Sequence, residues 1–352
     1  MVRLRRVDCA GPGIRRVRRG RGFSYVDPDG SKVTDPEILD RIADLTIPPA
    51  WNDVWICPLP RGHLQAVGTD AAGRRQYRYH DEWRVQRDAD KHDRVLRFAG
   101  KLPAARAIVH EHLGQRGLPR TKVLAAAFRL LDLGFFRVGG ESYAQDNGTY
   151  GIATMRREHV TASGDVLVFD YVAKSGKERT QAVVDDSVTR VVKALLKRDG
   201  GGDELLAYKD RGGWHDIVST DINAYLKEII GDEVSAKDFR TWHATVLTAV
   251  GLAVSTSAPR SAPGRQRAIS RVVTEVSHYL GNTPAVCRSS YIDPRVVDLY
   301  ADGITISRAL ERLGADTTFG HPATHGQIEA AVLRMVKAPT RAKASKVARA
   351  AR

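Results

Sequence analysis

The segment Ser277-His278-Tyr279-Leu280-Gly281-Asn282-Thr283-Pro284 indicates that one helix stops and another begins within a few residues. Thr-Pro is a common helix start, because threonine caps free N–H groups and proline suits the first helical position. Tyr291 follows nine residues after Asn282, about two helical turns further along the chain. A polar side chain, a helix restart and a tyrosine in this order can bring a phenol up to a phosphate.

Three basic segments upstream of this turn are suited to bind the same phosphate. They are Phe136-Arg137-Val138-Gly139-Gly140, Tyr171-Val172-Ala173-Lys174-Ser175-Gly176-Lys177 and Lys237-Asp238-Phe239-Arg240-Thr241. Breaking a phosphodiester without a metal requires a nucleophile, donors for the non-bridging oxygens and an acid for the leaving oxygen. The planar fork of an arginine grips two phosphate oxygens, which suits Arg137 and Arg240. Lys174 would donate the proton, and Tyr291 would attack.

Each of these residues also has an ordinary structural interpretation. An arginine beside Gly-Gly is most often a surface ion-pair partner, and a lysine at a hairpin tip usually serves solubility. A tyrosine near a helix end is usually half-buried, and Asn282 before Thr-Pro can simply cap a helix. The chemical hypothesis therefore depends on the whole set and not on any one member.

Length and composition favour a two-domain protein without a metal centre. The chain has 352 residues, which is long for a single core. It contains no apolar run of membrane-spanning length. Its three cysteines, Cys9, Cys57 and Cys287, lie far apart and lack metal-type spacing, so we expect reduced thiols. No zinc ligand set, other metal site or cofactor is predicted, and we expect a cytoplasmic, nucleoid-associated protein.

The charge balance favours a polyanionic partner. The chain has 55 basic and 41 acidic residues, a net charge of +14, and each neutralised phosphate releases counterions. Residues 1–20 and 321–352 are the most basic regions. We expect a basic N-terminal arm and a basic C-terminal helix or tail there, either able to follow a phosphate backbone or disordered.

Secondary-structure signals predict an α+β protein. Residues 21–90 alternate strand and turn signals and are expected to form a small β-rich domain. Residues 91–320 are expected to form a larger, mostly helical catalytic domain. This second region carries one three-stranded meander, predicted over residues 153–160, 166–172 and 178–184. Further helices are predicted over residues 186–196, 220–230, 236–254, 267–280 and 294–301.

The set of motifs resembles the catalytic domain of type IB DNA topoisomerases, in particular the short poxvirus-like form found in bacteria. The resemblance runs from about residue 20 to residue 305 and implies the fold shared with tyrosine recombinases. In that family the first arginine is the R of F-R-[VI]-G, the lysine is the K of F-x-[YF]-V-[AG]-K, and the second arginine is the R of K-[DE]-[FL]-R-[TS]. The motif L-G-[HN]-T-P and a tyrosine nine residues on complete the pattern. The matching residues here are Arg137, Lys174, Arg240, Asn282 and Tyr291.

The resemblance implies a mechanism. Tyr291 would attack one strand of duplex DNA to form a 3′-phosphotyrosyl link and release a 5′-hydroxyl. Arg137, Arg240 and Asn282 would hold the pentacoordinate phosphorus, and Lys174 would protonate the leaving oxygen. Rotation of the duplex and reversal of the step would then relax supercoiled DNA without metal or ATP. The expected partner is duplex DNA, preferably supercoiled, held by a monomer that clamps it.

Two further consequences follow from the resemblance. Many members of the wider superfamily have histidine at the Asn282 position; an asparagine amide also donates a hydrogen bond but does not titrate near neutral pH. We therefore expect activity with a flatter pH profile. Arg75, Tyr77 and Tyr79 are expected to contact DNA from the N-terminal domain, as is Lys237 beside the site. The alternative is that both tyrosines pack against Trp83.

Two other functions compete with this one. A tyrosine recombinase usually shows H-x-x-R at the second arginine and a helical front domain, whereas this chain has Lys237-x-x-Arg240 and a β-rich front region. A non-enzymatic basic DNA-binding protein would account for the charge alone. Relaxation of plasmid DNA in EDTA without ATP separates the three.

Overall fold

A computed structural model describes residues 3–255, 261–314 and 326–338. The chain divides into two compact units after Asp93. The first unit is built on a sheet and the second is mainly helical. The α+β class predicted from the sequence is confirmed.

The first unit is a five-stranded antiparallel sheet in the order β2-β1-β3-β4-β5. Its core contains Ile14, Val33, Ile42, Val54, Ile56 and Ala66. The elements are β1 (Ile14–Arg19), β2 (Gly22–Val26), α1 (Pro36–Asp44), β3 (Asn52–Ile56), β4 (Leu64–Thr69) and β5 (Arg75–Tyr79). Helix α1 begins where Asp35 accepts a hydrogen bond from the Glu37 N–H at 2.9 Å, with proline at the first position.

Strand β1 lies within residues 1–20, which the sequence suggested to be a basic arm. The structure differs from that expectation because the strand is paired on both sides, with β2 and with β3. Its Ile14 is buried in the core of the sheet. Arg16 donates to the carbonyl oxygens of Ile47, Pro48 and Trp51, so this arginine stabilises a turn. The strand was not predicted because its sequence is rich in arginine and has few apolar residues.

The second unit is helical, with two small β elements. Helix α2 (Asp81–Leu113) crosses the unit boundary. The remaining helices are α3 (Arg120–Gly134), α4 (Glu141–Asn147), α5 (Asp186–Leu196), α6 (Ser219–Ile230), α7 (Ala236–Val254), α8 (Ala262–Leu280), α9 (Pro284–Ser290), α10 (Pro294–Ala301), α11 (Ser307–Gly314) and α12 (Gln327–Lys337). Strands β6 (Val160–Ser163), β7 (Val166–Ala173) and β8 (Lys177–Val184) form an antiparallel meander, and β9 (Ala207–Asp210) pairs with β10 (Gly213–Asp216).

The meander differs from the prediction at its first strand. Strand β6 begins at Val160, whereas residues 152–154 and 157–159 are short 3₁₀ turns. The N–H groups of Ile152 and Ala153 donate to the carbonyl oxygens of Arg137 and Val138. These backbone groups are therefore used outside the meander. The β9–β10 hairpin was not predicted.

Helix α12 lies in the region predicted to be a basic C-terminal helix or tail, and it packs into the core. Its Val332 is fully buried, and Glu329 pairs with Arg106 at 2.5 Å. The same carboxylate accepts a hydrogen bond from the indole N–H of Trp242 at 2.7 Å. The apolar and acidic residues of this helix, and not its basic ones, decide its position. The other residues of that predicted region, 321–325 and 339–352, lie outside the described residues.

Three observations bear on membrane and metal binding. In the described part of the chain, no helix has the length and hydrophobicity needed to cross a membrane. Within the same residues, no group of three or more histidine, cysteine or acidic side chains is arranged to hold a metal ion. Cys9, Cys57 and Cys287 are free thiols.

Candidate active site

Arg137 lies in a tight segment directly after helix α3. The helix ends at Phe135, which adopts a left-handed conformation with φ 56° and turns the chain away. Phe136 is fully buried, and its ring meets that of Phe169 on β7 at 4.8 Å between centroids. The next side chain is Arg137, which is half-buried. The buried Phe136 ring thus fixes the backbone position from which the Arg137 side chain extends.

Two glycines hold the same segment from the other side. Gly139 has φ 83°, which favours glycine, and a Cβ there would lie 2.9 Å from the Cα of Gly151. The Ile152 N–H donates to the Arg137 carbonyl at 2.9 Å, and the Ala153 N–H donates to the Val138 carbonyl at 2.7 Å. Gly139 and Gly151 thus permit close contact between the two backbones. The backbone of Arg137 is fixed by this contact.

Asn282 is presented by the turn between helices α8 and α9. Gly281 ends α8 in a left-handed conformation with φ 62°, and the Asn282 N–H donates to the Ser277 carbonyl at 3.0 Å. Thr283 caps α9 by accepting from the Val286 N–H at 3.3 Å. The sequence Gly-Asn-Thr-Pro therefore encodes a helix stop and a helix start, with the asparagine between them.

The side chains of Arg137 and Asn282 meet. The arginine donates from Nη2 to Oδ1 of Asn282 at 2.7 Å, which orients the amide. The Nδ2 atom of Asn282 is buried and has no hydrogen-bond partner among the described residues. An unpaired buried donor is costly. The arrangement therefore provides an N–H donor for an additional acceptor beside the Arg137 guanidinium.

Arg240 joins the two backbone turns that carry Arg137 and Asn282. It lies in α7 and is only 3% exposed. Its Nη1 donates to the carbonyl of Phe135, and its Nη2 donates to the carbonyl of Leu280 at 2.6 Å. The carbonyls belong to the ends of α3 and α8, where helices leave oxygens without internal partners. Arg240 is thus both a structural link and a positive charge within the site.

Tyr291 lies at the end of helix α9, next to Arg240. Its N–H donates to the Cys287 carbonyl at 3.0 Å, and Thr245 Oγ1 on α7 accepts from the N–H of Asp293 at 3.2 Å. The Arg240 guanidinium carbon lies 5.3 Å from the centroid of the Tyr291 ring. Helix α7 therefore places the arginine and also holds the chain that follows the tyrosine.

The cations beside Tyr291 make its phenol more acidic. Burial alone would raise the pKa of Tyr291, but the charge of Arg240, a hydrogen bond with it, and the charges of Arg137 and Lys237 outweigh burial and lower that pKa. Burial, together with the charge of Arg137, lowers the pKa of Arg240 to about 10. The guanidinium remains charged at neutral pH, where it favours the anionic form of the phenol.

Lys174 is not in contact with the other four residues. It lies at the β7–β8 turn, where Ser175 and Gly176 both have φ 69°, and its side chain is exposed. In the described part of the chain it makes no hydrogen bond to Arg137, Arg240, Asn282 or Tyr291. Lys237 is also exposed, in the first turn of α7. The structure therefore brings together four of the five predicted catalytic side chains.

The residues expected to contact DNA from the first unit lie on strand β5. Arg75 is exposed, and Tyr77 and Tyr79 are 46% and 37% exposed. The tyrosine rings stack with centroids 6.1 Å apart, and the Arg75 guanidinium lies 5.9 Å from the Tyr77 ring. Trp83 instead meets His63 at 4.8 Å. The exposed row favours a binding surface over the alternative in which both tyrosines pack on Trp83.

Comparison with known families identifies two matching profiles. Residues 80–311 match the family described as "Eukaryotic DNA topoisomerase I, catalytic core". Residues 22–70 match "Bacterial DNA topoisomerase IB, N-terminal domain". The first match includes all five candidate catalytic residues, and the second ends just before strand β5.

Similar curated proteins are viral and fungal topoisomerases. The DNA topoisomerase 1B of Acanthamoeba polyphaga mimivirus is 30% identical over 295 residues, covering 82% of this chain and 87% of the relative. The DNA topoisomerase 1B of vaccinia virus (strain Copenhagen) is 24% identical over 293 residues, covering 78% and 88%. The DNA topoisomerase 1 of Candidozyma auris is 27% identical over 161 residues, covering 45% and 20%.

Proposed function

This chain belongs to the type IB DNA topoisomerase family, and from that premise we propose how its site relaxes supercoiled duplex DNA. The observation that carries the proposal is the cluster of Arg137, Arg240 and Asn282 around Tyr291. Two guanidinium groups and a buried amide donor lie beside a phenol whose pKa is lowered. Such a cluster suits an attack by an oxygen nucleophile on a phosphodiester.

In the first step, the Tyr291 oxygen attacks the phosphorus of one strand. A new O–P bond forms, the bond from phosphorus to the 5′-oxygen breaks, and the phenolic proton is lost to solvent. The strand is left as a 3′-phosphotyrosyl ester. Arg137 and Asn282 would donate to one non-bridging oxygen, and Arg240 would stabilise the charge of the pentacoordinate phosphorus.

The leaving 5′-oxygen needs a proton, and we assign this role to Lys174. Its side chain is exposed at a hairpin turn, and its flexible four-carbon stem would allow it to reach a groove of bound DNA. The contact between Lys174 and the leaving oxygen would therefore form only in the complex with DNA, as is common for catalytic hydrogen bonds. The 5′-hydroxyl then reverses the reaction. Because the ester retains the energy of the broken bond, neither ATP nor a metal is required.

DNA would be held by both units of a monomer. Arg75, Tyr77 and Tyr79 would contact the duplex from strand β5, through a guanidinium and two stacked, exposed rings. Lys237 would contact a phosphate near the site. Supercoiled DNA would be the preferred substrate, because its torsional strain is released by rotation about the intact strand.

The proposal is tested by incubating the chain with negatively supercoiled plasmid in EDTA without ATP. Stepwise relaxation is expected, and mass spectrometry of a trapped adduct should locate the DNA on Tyr291. Sequence-dependent strand exchange would instead indicate a recombinase. Binding without relaxation would indicate an architectural DNA-binding protein, and an adduct on another residue would contradict the assignment of Tyr291.

The role proposed for Asn282 predicts how the cleavage rate of a histidine variant depends on pH. Changing Asn282→His introduces a side chain with an ordinary pKa of about 6.5. Below that pKa the protonated imidazole donates a charge-assisted hydrogen bond, and above it the charge is lost. We expect the cleavage rate of the variant, divided by that of the wild type, to fall about fivefold as pH rises from 5.5 to 8. His278→Asn, on the exposed surface of α8, is the control. A constant ratio would contradict a phosphate contact at position 282.

A further inference from the structure

Strand β8 holds the two helix ends that present Arg137 and Asn282. Its side chains at positions 179 and 181 point to the same face, as alternate residues of a strand do. Gln181 donates from Nε2 to the Gly134 carbonyl at the end of α3. Arg179 donates to the His278 carbonyl at 3.1 Å and to the Tyr279 carbonyl at 2.8 Å, at the end of α8.

These contacts lie immediately before the site residues in the chain. Gly134 precedes Arg137 by three residues, and Tyr279 precedes Asn282 by three residues. Arg179 also packs against the turn itself, since a Cβ at Gly281 would collide with its guanidinium. Arg240 adds hydrogen bonds to the Phe135 and Leu280 carbonyls. Two arginines and a glutamine therefore bind two carbonyls at the end of α3 and three at the end of α8.

Tyr171 fixes the orientation of the Gln181 amide. It lies on β7 directly opposite Arg179 and donates from its hydroxyl to Oε1 of Gln181 at 3.0 Å. With Oε1 occupied as an acceptor, Nε2 is the atom left to donate to Gly134. Burial raises the pKa of Tyr171, so the phenol stays protonated and remains a donor. The amide orientation is therefore set by the protein and does not depend on DNA.

We propose that Arg179 and Gln181 are positioning residues that set the distance between Arg137 and Asn282. They bond to backbone carbonyls and not to substrate, so they act through the two residues that hold phosphate. This inference rests on the proposed function. It also places strand β8 in a double role, because the turn at its start carries Lys174.

The size of the effect follows from geometry. Displacing a catalytic group by about 1 Å can slow a reaction about 100-fold. We expect Arg179→Ala to slow single-turnover cleavage by about this factor, since the variant loses the hydrogen bonds to two carbonyls and the packing on Gly281. Arg179→Lys keeps the charge but cannot donate to both carbonyls in one plane. Gln181→Glu keeps the shape and the Tyr171 contact but removes the donor, and both variants are expected to lose about tenfold.

The test is a double-mutant cycle on single-turnover cleavage of a duplex oligonucleotide. If Arg179 acts through Asn282, the cost of Arg179→Ala should largely vanish when Asn282 is already alanine. Affinity for the uncleaved duplex should stay unchanged in the Arg179→Lys variant, which keeps the positive charge. Thr180→Ala, between the two residues on the exposed face of β8, is the matched control and should cleave at the wild-type rate.

The outcomes distinguish this inference from the proposed function. An inactive wild-type chain would refute the function and the inference with it. An active wild type with full-rate Arg179→Ala and Gln181→Glu variants would refute the inference alone, and so would costs of Arg179→Ala and Asn282→Ala that simply add. If Arg179→Ala unfolds, the Arg179→Lys and Gln181→Glu variants, whose thermal unfolding is measured in parallel, carry the test.

Discussion

Changing Tyr291→Phe is expected to abolish DNA relaxation, with a loss of cleavage on the order of 10⁴-fold or more, because no other group supplies the attacking oxygen. The ring that packs beneath Arg240 is retained, so the fold and the affinity for duplex DNA should not change. The measurement is plasmid relaxation together with detection of a covalent protein–DNA adduct under denaturing conditions.

Tyr279→Phe is the matched control for this change. Tyr279 lies close in sequence but is 59% exposed on helix α8, and removing its hydroxyl should leave relaxation unaltered. Persistence of relaxation in the Tyr291→Phe variant would remove the basis of the whole mechanism. Loss of the adduct together with loss of DNA binding would instead indicate that the change disturbed the fold.

Changing Arg240→Lys is expected to slow cleavage by about 10³-fold, within the range that a transition-state arginine contributes to phosphoryl transfer. The lysine keeps a positive charge, but it has no planar fork and cannot reach the Phe135 and Leu280 carbonyls together. Each unpaired carbonyl should also cost about 1–3 kcal/mol of folding stability. Single-turnover cleavage and urea unfolding measure the two effects separately.

The same change should alter the pH dependence of cleavage. Arg240 is the main cation that lowers the pKa of Tyr291. A weaker or displaced charge lets that pKa rise towards the ordinary phenol value. The pH at which the cleavage rate stops increasing should therefore move upwards in the variant. Arg267→Lys, on the exposed surface of α8, should leave the rate and the pH profile unchanged. An unshifted profile in Arg240→Lys would contradict the electrostatic role assigned to this arginine.

The sequence predicted those parts of the site that local chemistry determines. The Gly281–Pro284 turn is encoded by a left-handed glycine, a capping threonine and a proline, and it forms as the motif indicates. Helix α7 begins and ends at the predicted residues. Arg137, Arg240, Asn282 and Tyr291 were selected by motif order and spacing together with the resemblance to the family pattern, and the structure brings their side chains close together.

Interactions between distant segments were not predictable in this way. Arg179 and Gln181 lie on an ordinary strand, and their acceptors are backbone carbonyls, which leave no residue-type signal in the sequence. Strand β1 was overlooked because its pairing with β2 and β3 outweighs its low apolar content. The packing of helix α12 into the core was not predicted, because it depends on the contacts of Glu329 with Arg106 and Trp242, which are distant in sequence.

Three of the arginines that bind backbone carbonyls limit how this protein can change during evolution. Arg16, Arg179 and Arg240 each serve two or more backbone oxygens at once. A drift of codons from arginine towards lysine would preserve the net charge of the chain and could proceed at its solvent-facing positions. At these three sites the ammonium group of a lysine would leave backbone carbonyls without a hydrogen-bond donor. The fold therefore requires arginine there, whatever the base composition of the genome.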